Sequence, residues 1–130
     1  MKITTFNPMI LTKKPEDAIA LFEALGFERH HHKSDETENE EQGLAFSTVR
    51  MKDANGFYLD ISQPDHFPAP QDLTAIRMNV DNFGEAYELL TAHGFKNFYG
   101  DQTVDTNSSE SAIMISPSGF VINLIQHIKD

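Results

Sequence analysis

The residues from Ala75 to Phe95 recur, in weakened form, in the stretch that ends at Phe27. Val80 falls on Thr12, Ala86 on Ala18, Leu89 on Leu21 and Gly94-Phe95 on Gly26-Phe27, a constant offset of 94 − 26 = 68 positions. Each copy reads as strand, helix, glycine stop, strand. Two copies are too few for a stacked array, so a repeat of this length is a duplicated supersecondary unit whose copies close a core against each other. Function is expected between the copies.

The size of the chain permits that arrangement. At 130 residues it is one domain's worth of chain, able to bury roughly two thirds of the surface its unfolded form exposes. It contains no cysteine, which removes disulfides and thiolate chemistry and leaves a cytoplasmic location as the expectation. No stretch has the apolar length of a signal peptide or a membrane span. Twenty acidic against ten basic residues give a formal charge of −10, which repels phosphate backbones and anionic lipid and favours cationic partners at long range. No nucleic-acid and no membrane partner is expected.

Ile3 to Thr12 has strand content, with Pro8 pointing to an edge position or a bulge. Pro15 suits the first turn of a helix, Glu16 and Asp17 suit its positive end, and Ala18, Ile19, Leu21, Phe22 and Leu25 recur at helical spacing before Gly26. A strand over Phe27 to Lys33 carries His30-His31-His32, and the polar run Ser34 to Gly43 reads as a solvated hairpin tip. Leu44 to Lys52 and Phe57 to Ser62 are strands joined by the turn Asp53-Ala54-Asn55-Gly56. Residues 1–62 thus form one βαβββ module. A connector over 63–72 is stiffened by Pro64, Pro68 and Pro70, and 73–130 form the second module. There Leu73 to Val80 is a strand, Asn82 and Glu85 start a helix that Gly94 stops, and strands follow over Phe95 to Gly100, Ser111 to Ile115 and Phe120 to His127. The final turn, Ser116-Pro117-Ser118-Gly119, repeats the earlier one at an offset of 119 − 56 = 63.

The turn-and-strand signature Asp53-Ala54-Asn55-Gly56-Phe57-Tyr58-Leu59-Asp60-Ile61, with its repeat Ser116-Pro117-Ser118-Gly119-Phe120-Val121-Ile122-Asn123-Leu124, resembles the vicinal oxygen chelate superfamily of glyoxalases, extradiol dioxygenases and bleomycin-resistance proteins. The resemblance covers nearly the whole chain and implies an α+β fold in which two βαβββ modules form an open barrel-like cup. In metal-using relatives four His, Gln or Glu ligands converge on that cup, one from the first and one from the last strand of each module. Those places fall on Asn7, Asp60, Ala75 and Asn123, of which Asp60 alone is a good ligand. The resemblance therefore implies a metal-independent member with no cofactor.

Because alternate residues of a strand share a face, the same register sets Asn7 beside Met9 and Leu11, Asp60 beside Tyr58 and Ser62, Ala75 beside Arg77 and Asn79, and Asn123 beside Val121 and Ile125. The opposite faces are consistently apolar and belong under the helices. Arg77 either holds a ligand carboxylate or phosphate through its fork or pairs internally with Asp60. Asp60 and Tyr58 either act as base and acid or are remnants of an ancestral site. The triple His reads as a strand end more than as a metal cluster, His93 as a partly buried helix-end residue, and Asp101 to Glu110 as either a lid or a mobile loop. The expected ligand-binding set is Asn7, Met9, Tyr58, Asp60, Arg77, Asn79 and Asn123. The expected function is metal-independent binding of a small molecule, such as sequestration of a toxic or antibiotic compound by a homodimer. The competing reading is a lyase, isomerase or dioxygenase-like enzyme acting on a small organic acid.

Overall fold

The computed structural model describes residues 1–30, 46–64, 71–105 and 109–127. The acidic tip at 34–43, His31, His32, Pro68 and Pro70 lie outside the described residues. Among the described residues, two helices and nine strands give an α+β fold. Their order is β1 (Ile3–Leu11), α1 (Pro15–Ala24), β2 (Glu28–Arg29), β3 (Phe46–Lys52), β4 (Tyr58–Pro64), β5 (Leu73–Val80), α2 (Phe83–Ala92), β6 (Lys96–Asn97), β7 (Val104–Asp105), β8 (Ser109–Ile115) and β9 (Val121–His127). None of the described helices is long and apolar enough to cross a membrane.

The chain divides into two compact units, one of Asn7–Thr74 and one of Met1–Phe6 with Ala75–Asp130. In the first unit β4 runs parallel to β1 and antiparallel to β3, which pairs in turn with β2. The second unit repeats this pattern, β9 lying parallel to β5 and antiparallel to β8, with β6 antiparallel to β8. The duplication is therefore one of pairing as well as of sequence. The ladder from β1 to β4 opens at Met9↔Asp60, one residue past Pro8, which has no N–H to give.

Both helices are ten residues long and end in the same way. Gly26 and Gly94 stand at φ 106° and 93°. Phe27 N–H reaches Phe22 C=O at 2.9 Å and Gly26 N–H reaches Glu23 C=O at 3.1 Å, while Phe95 and Gly94 make the matching bonds to Leu90 and Thr91 at 3.0 Å each. This is the Schellman pattern, in which the left-handed residue lets the last carbonyls of the helix be satisfied. The starts differ. Asn82 Oδ1 accepts the Glu85 N–H at 3.0 Å and caps α2, whereas α1 begins at Pro15 with no side-chain cap from Lys14.

Each helix covers the apolar face of its own strands. Ile19 of α1 packs with Met51, Leu59 and Ile61, joined by Ile10 and Phe22. Phe83 and Ala86 of α2 pack with Met78, Met114, Ile122 and Leu124. Each fully buried large apolar side chain in these clusters contributes roughly 1.5–3 kcal/mol.

Three expectations change. The Asp101–Glu110 stretch is not a plain loop, because Val104 is buried and pairs with Ser111 while Asp105 faces Glu110 across the β7–β8 ladder. The Glu110 carboxyl is raised above its ordinary range, first by burial and then by the Asp105 charge. The strand after Gly94 stops at Asn97, whose side chain accepts the Tyr99 N–H at 2.9 Å and whose carbonyl takes the Gly100 N–H at 3.1 Å, turning the chain. His93 is exposed, so it is no buried helix-end residue.

Candidate functional site

In the first unit, Ile10, Val49, Met51, Leu59 and Ile61 turn towards α1, which leaves Asn7, Met9, Arg50, Tyr58 and Asp60 on the other face. The register of β1 and β4 expected from the sequence is the one observed. On that inner face Asp60 is 0% exposed and Asn7 9%. Asn7 Nδ2 donates to Asp60 Oδ2 at 2.7 Å and also to the Pro8 carbonyl at 2.9 Å. Arg50 completes the arrangement. Its Nη1 lies 3.5 Å from Asp60 Oδ2, and its Nη2 donates to Asn7 Oδ1 at 3.2 Å. The guanidinium also lies over the Tyr58 ring, 4.2 Å from the centroid.

The sequence pattern did not single out Arg50. The signal was nonetheless there, because the turn closed by Asp53 N–H to Phe57 C=O at 3.1 Å fixes the pairing of β3 with β4, and Arg50 then stands directly across from Asp60. The row continues in both directions. Thr48 and Ser62 hydroxyls are 3.0 Å apart on one side. On the other, Lys52 Nζ lies 5.4 Å from the Tyr58 centroid and His30 meets the same ring edge-on at 5.6 Å.

In the second unit Ile76, Met78, Ile122 and Leu124 turn towards α2. Ala75, Arg77, Asn79, Val121, Asn123 and Ile125 take the opposite face, again in the register expected. Arg77 stands across from Asn123 in the parallel ladder, and its Nε donates to Asn79 Oδ1 at 3.2 Å. Asn79 and Asn123 are buried. By position in the repeat, Arg77 answers to Met9 and Ile113 answers to Arg50, so the two units place their guanidinium on different strands.

No family model matches the sequence, and no curated protein matches it. Solved structures do match. A glyoxalase/bleomycin resistance protein/dioxygenase superfamily member from Vibrio splendidus 12B01 superposes with a TM-score of 0.57 at 13% identity, covering 96% of this chain and 99% of that one. Methylmalonyl-CoA epimerase from Mycobacterium tuberculosis gives 0.60 at 16%, with 95% and 88% covered. A hypothetical protein from Bacillus halodurans C-125 gives 0.62 at 11%, with 100% and 98% covered. The chain has the vicinal oxygen chelate fold.

The metal that this fold carries in some relatives can be tested against the residues present. Of the four positions, Ala75 has no donor atom and Asn123 offers an amide. Asn7 and Asp60 hydrogen-bond to each other, with the Arg50 guanidinium against both. A divalent ion at that carboxylate would face a fixed positive charge in a medium that screens poorly. Among the described residues no three His, Asp or Glu side chains gather as a ligand group. The residues at these four positions do not fit a divalent centre.

Proposed function

We propose that the protein binds a small organic molecule on the inner strand face of its first unit without a metal, and holds it rather than transforming it. The observation that carries this reading is the Asn7–Asp60–Arg50 cluster, in which a resident guanidinium stands against the carboxylate that would otherwise recruit an ion. The same cluster argues against Asp60 as a general base. A base must reach the substrate proton, and Asp60 is sealed at 0% exposure with Arg50 and Asn7 against the oxygen they share.

The cluster also changes which ligand suits the site. A cationic aromatic would need the Tyr58 face and the Asp60 charge, and Arg50 occupies both. In the first unit the cations on the inner face, among the described residues, are Arg50 and Lys52, so the ligand is an organic acid, in spite of the overall charge of −10. A homodimer belongs to the same reading. It is supported by Phe6, Leu25 and Phe57, each left more than half exposed.

A thermal-shift screen of tag-free protein tests the proposal. A ligand at a hundred times its dissociation constant stabilises the native state by about 2.7 kcal/mol. Carboxylates should raise the midpoint with or without chelator, and cationic aromatics should not. One tightly held divalent ion per chain, lost together with a catalysed turnover on chelation, would overturn the reading.

A further inference from the structure

One end of the inner row opens into a cleft of about 280 Å³ lined by Gly26, Glu28, Arg29, His30, Lys52, Asp53 and Ala54. Its two acids and three basic side chains are not equally available. Asp53 Oδ1 already accepts the Asn55 and Phe57 N–H groups at 3.0 and 2.9 Å, and Arg29 Nε lies 3.7 Å from Glu23. Lys52 and His30 differ from these. Among the described residues no carboxylate comes within ion-pair distance of Lys52, although Glu28 is its partner across the ladder. Both Lys52 and His30 are held against Tyr58, Lys52 over the ring and His30 at its edge, which fixes two N–H donors at the mouth of a concave site. Arg50 lies over the same ring, 4.2 Å from its centroid, and is itself paired with Asp60.

The chain has twice as many acids as bases, and its basic side chains are unevenly placed. Three of its ten Lys and Arg residues, Arg29, Arg50 and Lys52, stand on the paired strands β2 and β3. Arg50 is answered by Asp60 at 3.5 Å, whereas Lys52, on the same half-buried ring, meets no carboxylate within ion-pair distance among the described residues. An anion entering beside Lys52 would supply that missing charge.

We infer that this cleft is an oxyanion subsite, in which Lys52 Nζ and a His30 ring N–H hold the phosphate or carboxylate end of the ligand. The inference rests on the ligand-binding reading only for the remainder of that molecule, because a bare oxyanion suffices to occupy the subsite. A Lys ammonium is a compact charge with rotatable donors, suited to a terminal oxyanion without fixed orientation. At about 280 Å³ the cleft admits such a group with part of the carbon skeleton, the rest of which would extend along the row towards Tyr58 and Arg50.

The test titrates the whole protein with inorganic phosphate and, separately, with acetate, following backbone and side-chain amide shifts by NMR. Saturable shifts confined to Gly26, His30 and Lys52 to Ala54 are expected, and the anion that binds tighter identifies the terminal group. Lys52→Gln should weaken binding about tenfold, as loss of one charge-assisted contact would. Ala54→Asp, placed on an exposed turn, should weaken it similarly without touching the Tyr58 stack. Shifts spread equally over Lys13, Lys14 and Lys96, or binding unchanged in both variants, would overturn the subsite. If neither anion binds while an organic acid still raises the thermal midpoint, the subsite is wrong and the binding function stands. If phosphate binds at Lys52 while no organic acid raises the midpoint, the subsite stands and the binding function falls.

Discussion

Replacing Arg50 by Met removes the guanidinium while keeping most of the side-chain stem, and its cost can be worked from the contacts. The variant loses the 3.5 Å ion pair to Asp60, the 3.2 Å bond to Asn7 and the stacking on Tyr58 at 4.2 Å. Removing one member of a buried ion pair costs about 3–5 kcal/mol, chiefly by leaving the other charge uncompensated. The Arg50 side chain is 16% exposed and Asn7 keeps its 2.7 Å bond to the carboxylate, so the lower end, about 3 kcal/mol, is expected. For a domain of this length that lowers the thermal midpoint by about 12 °C. A double-mutant cycle with Asp60→Asn isolates the pair. Arg50→Met in the Asp60→Asn background should cost much less, giving a coupling of about 2 kcal/mol in urea denaturation. A coupling below about 0.5 kcal/mol would refute the reasoning, and with it the claim that a resident cation stands where a metal would act.

Gly94→Ala should destabilise more than Gly26→Ala, because both force a side chain to positive φ but only at Gly94 would the new Cβ meet Pro117 Cγ at 2.7 Å; urea midpoints of the two variants decide this. Asn82→Ala removes the cap of α2 and should cost about 1 kcal/mol by the same measurement, with Asn82→Ser recovering most of it. Glu110 carries a raised carboxyl opposite Asp105, so the folded state binds its proton more tightly than the unfolded chain and stability falls as pH rises from the ordinary carboxylate range through the raised one. Glu110→Gln should therefore stabilise at pH 7 by a few tenths of a kcal/mol and show no gain at pH 4, which melting curves at the two values would reveal.

Glycine and alternation made most of the fold legible. Gly26 and Gly94 mark helix ends through their positive φ, and Gly56 and Gly119 close the turns from which Asp60 and Asn123 are counted, so that the strands β1, β4, β5 and β9 turn the expected faces to the helices. The inner faces were legible for the same reason, since a strand with one apolar side offers only one way to sit under a helix. The site was less legible where it depended on a partner strand. Arg50 lies in Phe46–Lys52, which follows the acidic segment, and its relation to Asp60 appears only after counting back across the Asp53–Phe57 turn. β7 left almost no trace, because among Thr, Asn and Ser a single buried Val104 is the whole apolar signal. The charge of −10 is a property of the whole chain and does not tell which charges stand on the inner face, where Arg50, Lys52 and Asp60 lie.

The first six residues belong with the second half of the chain. Asp81 accepts the Lys2 N–H at 2.6 Å and returns its own N–H to the Lys2 carbonyl at 3.1 Å, across 79 positions of sequence. During synthesis at about 5–20 residues per second, the head of β1 therefore waits roughly 4–16 s before its partner exists. Throughout that interval it is an exposed strand carrying Ile3 and Phe6, long enough to be met by a chaperone or by another nascent chain. The unit built from Ala75 onwards cannot be finished by its own half of the gene, so the two repeats, though copied from one pattern, are no longer separable parts.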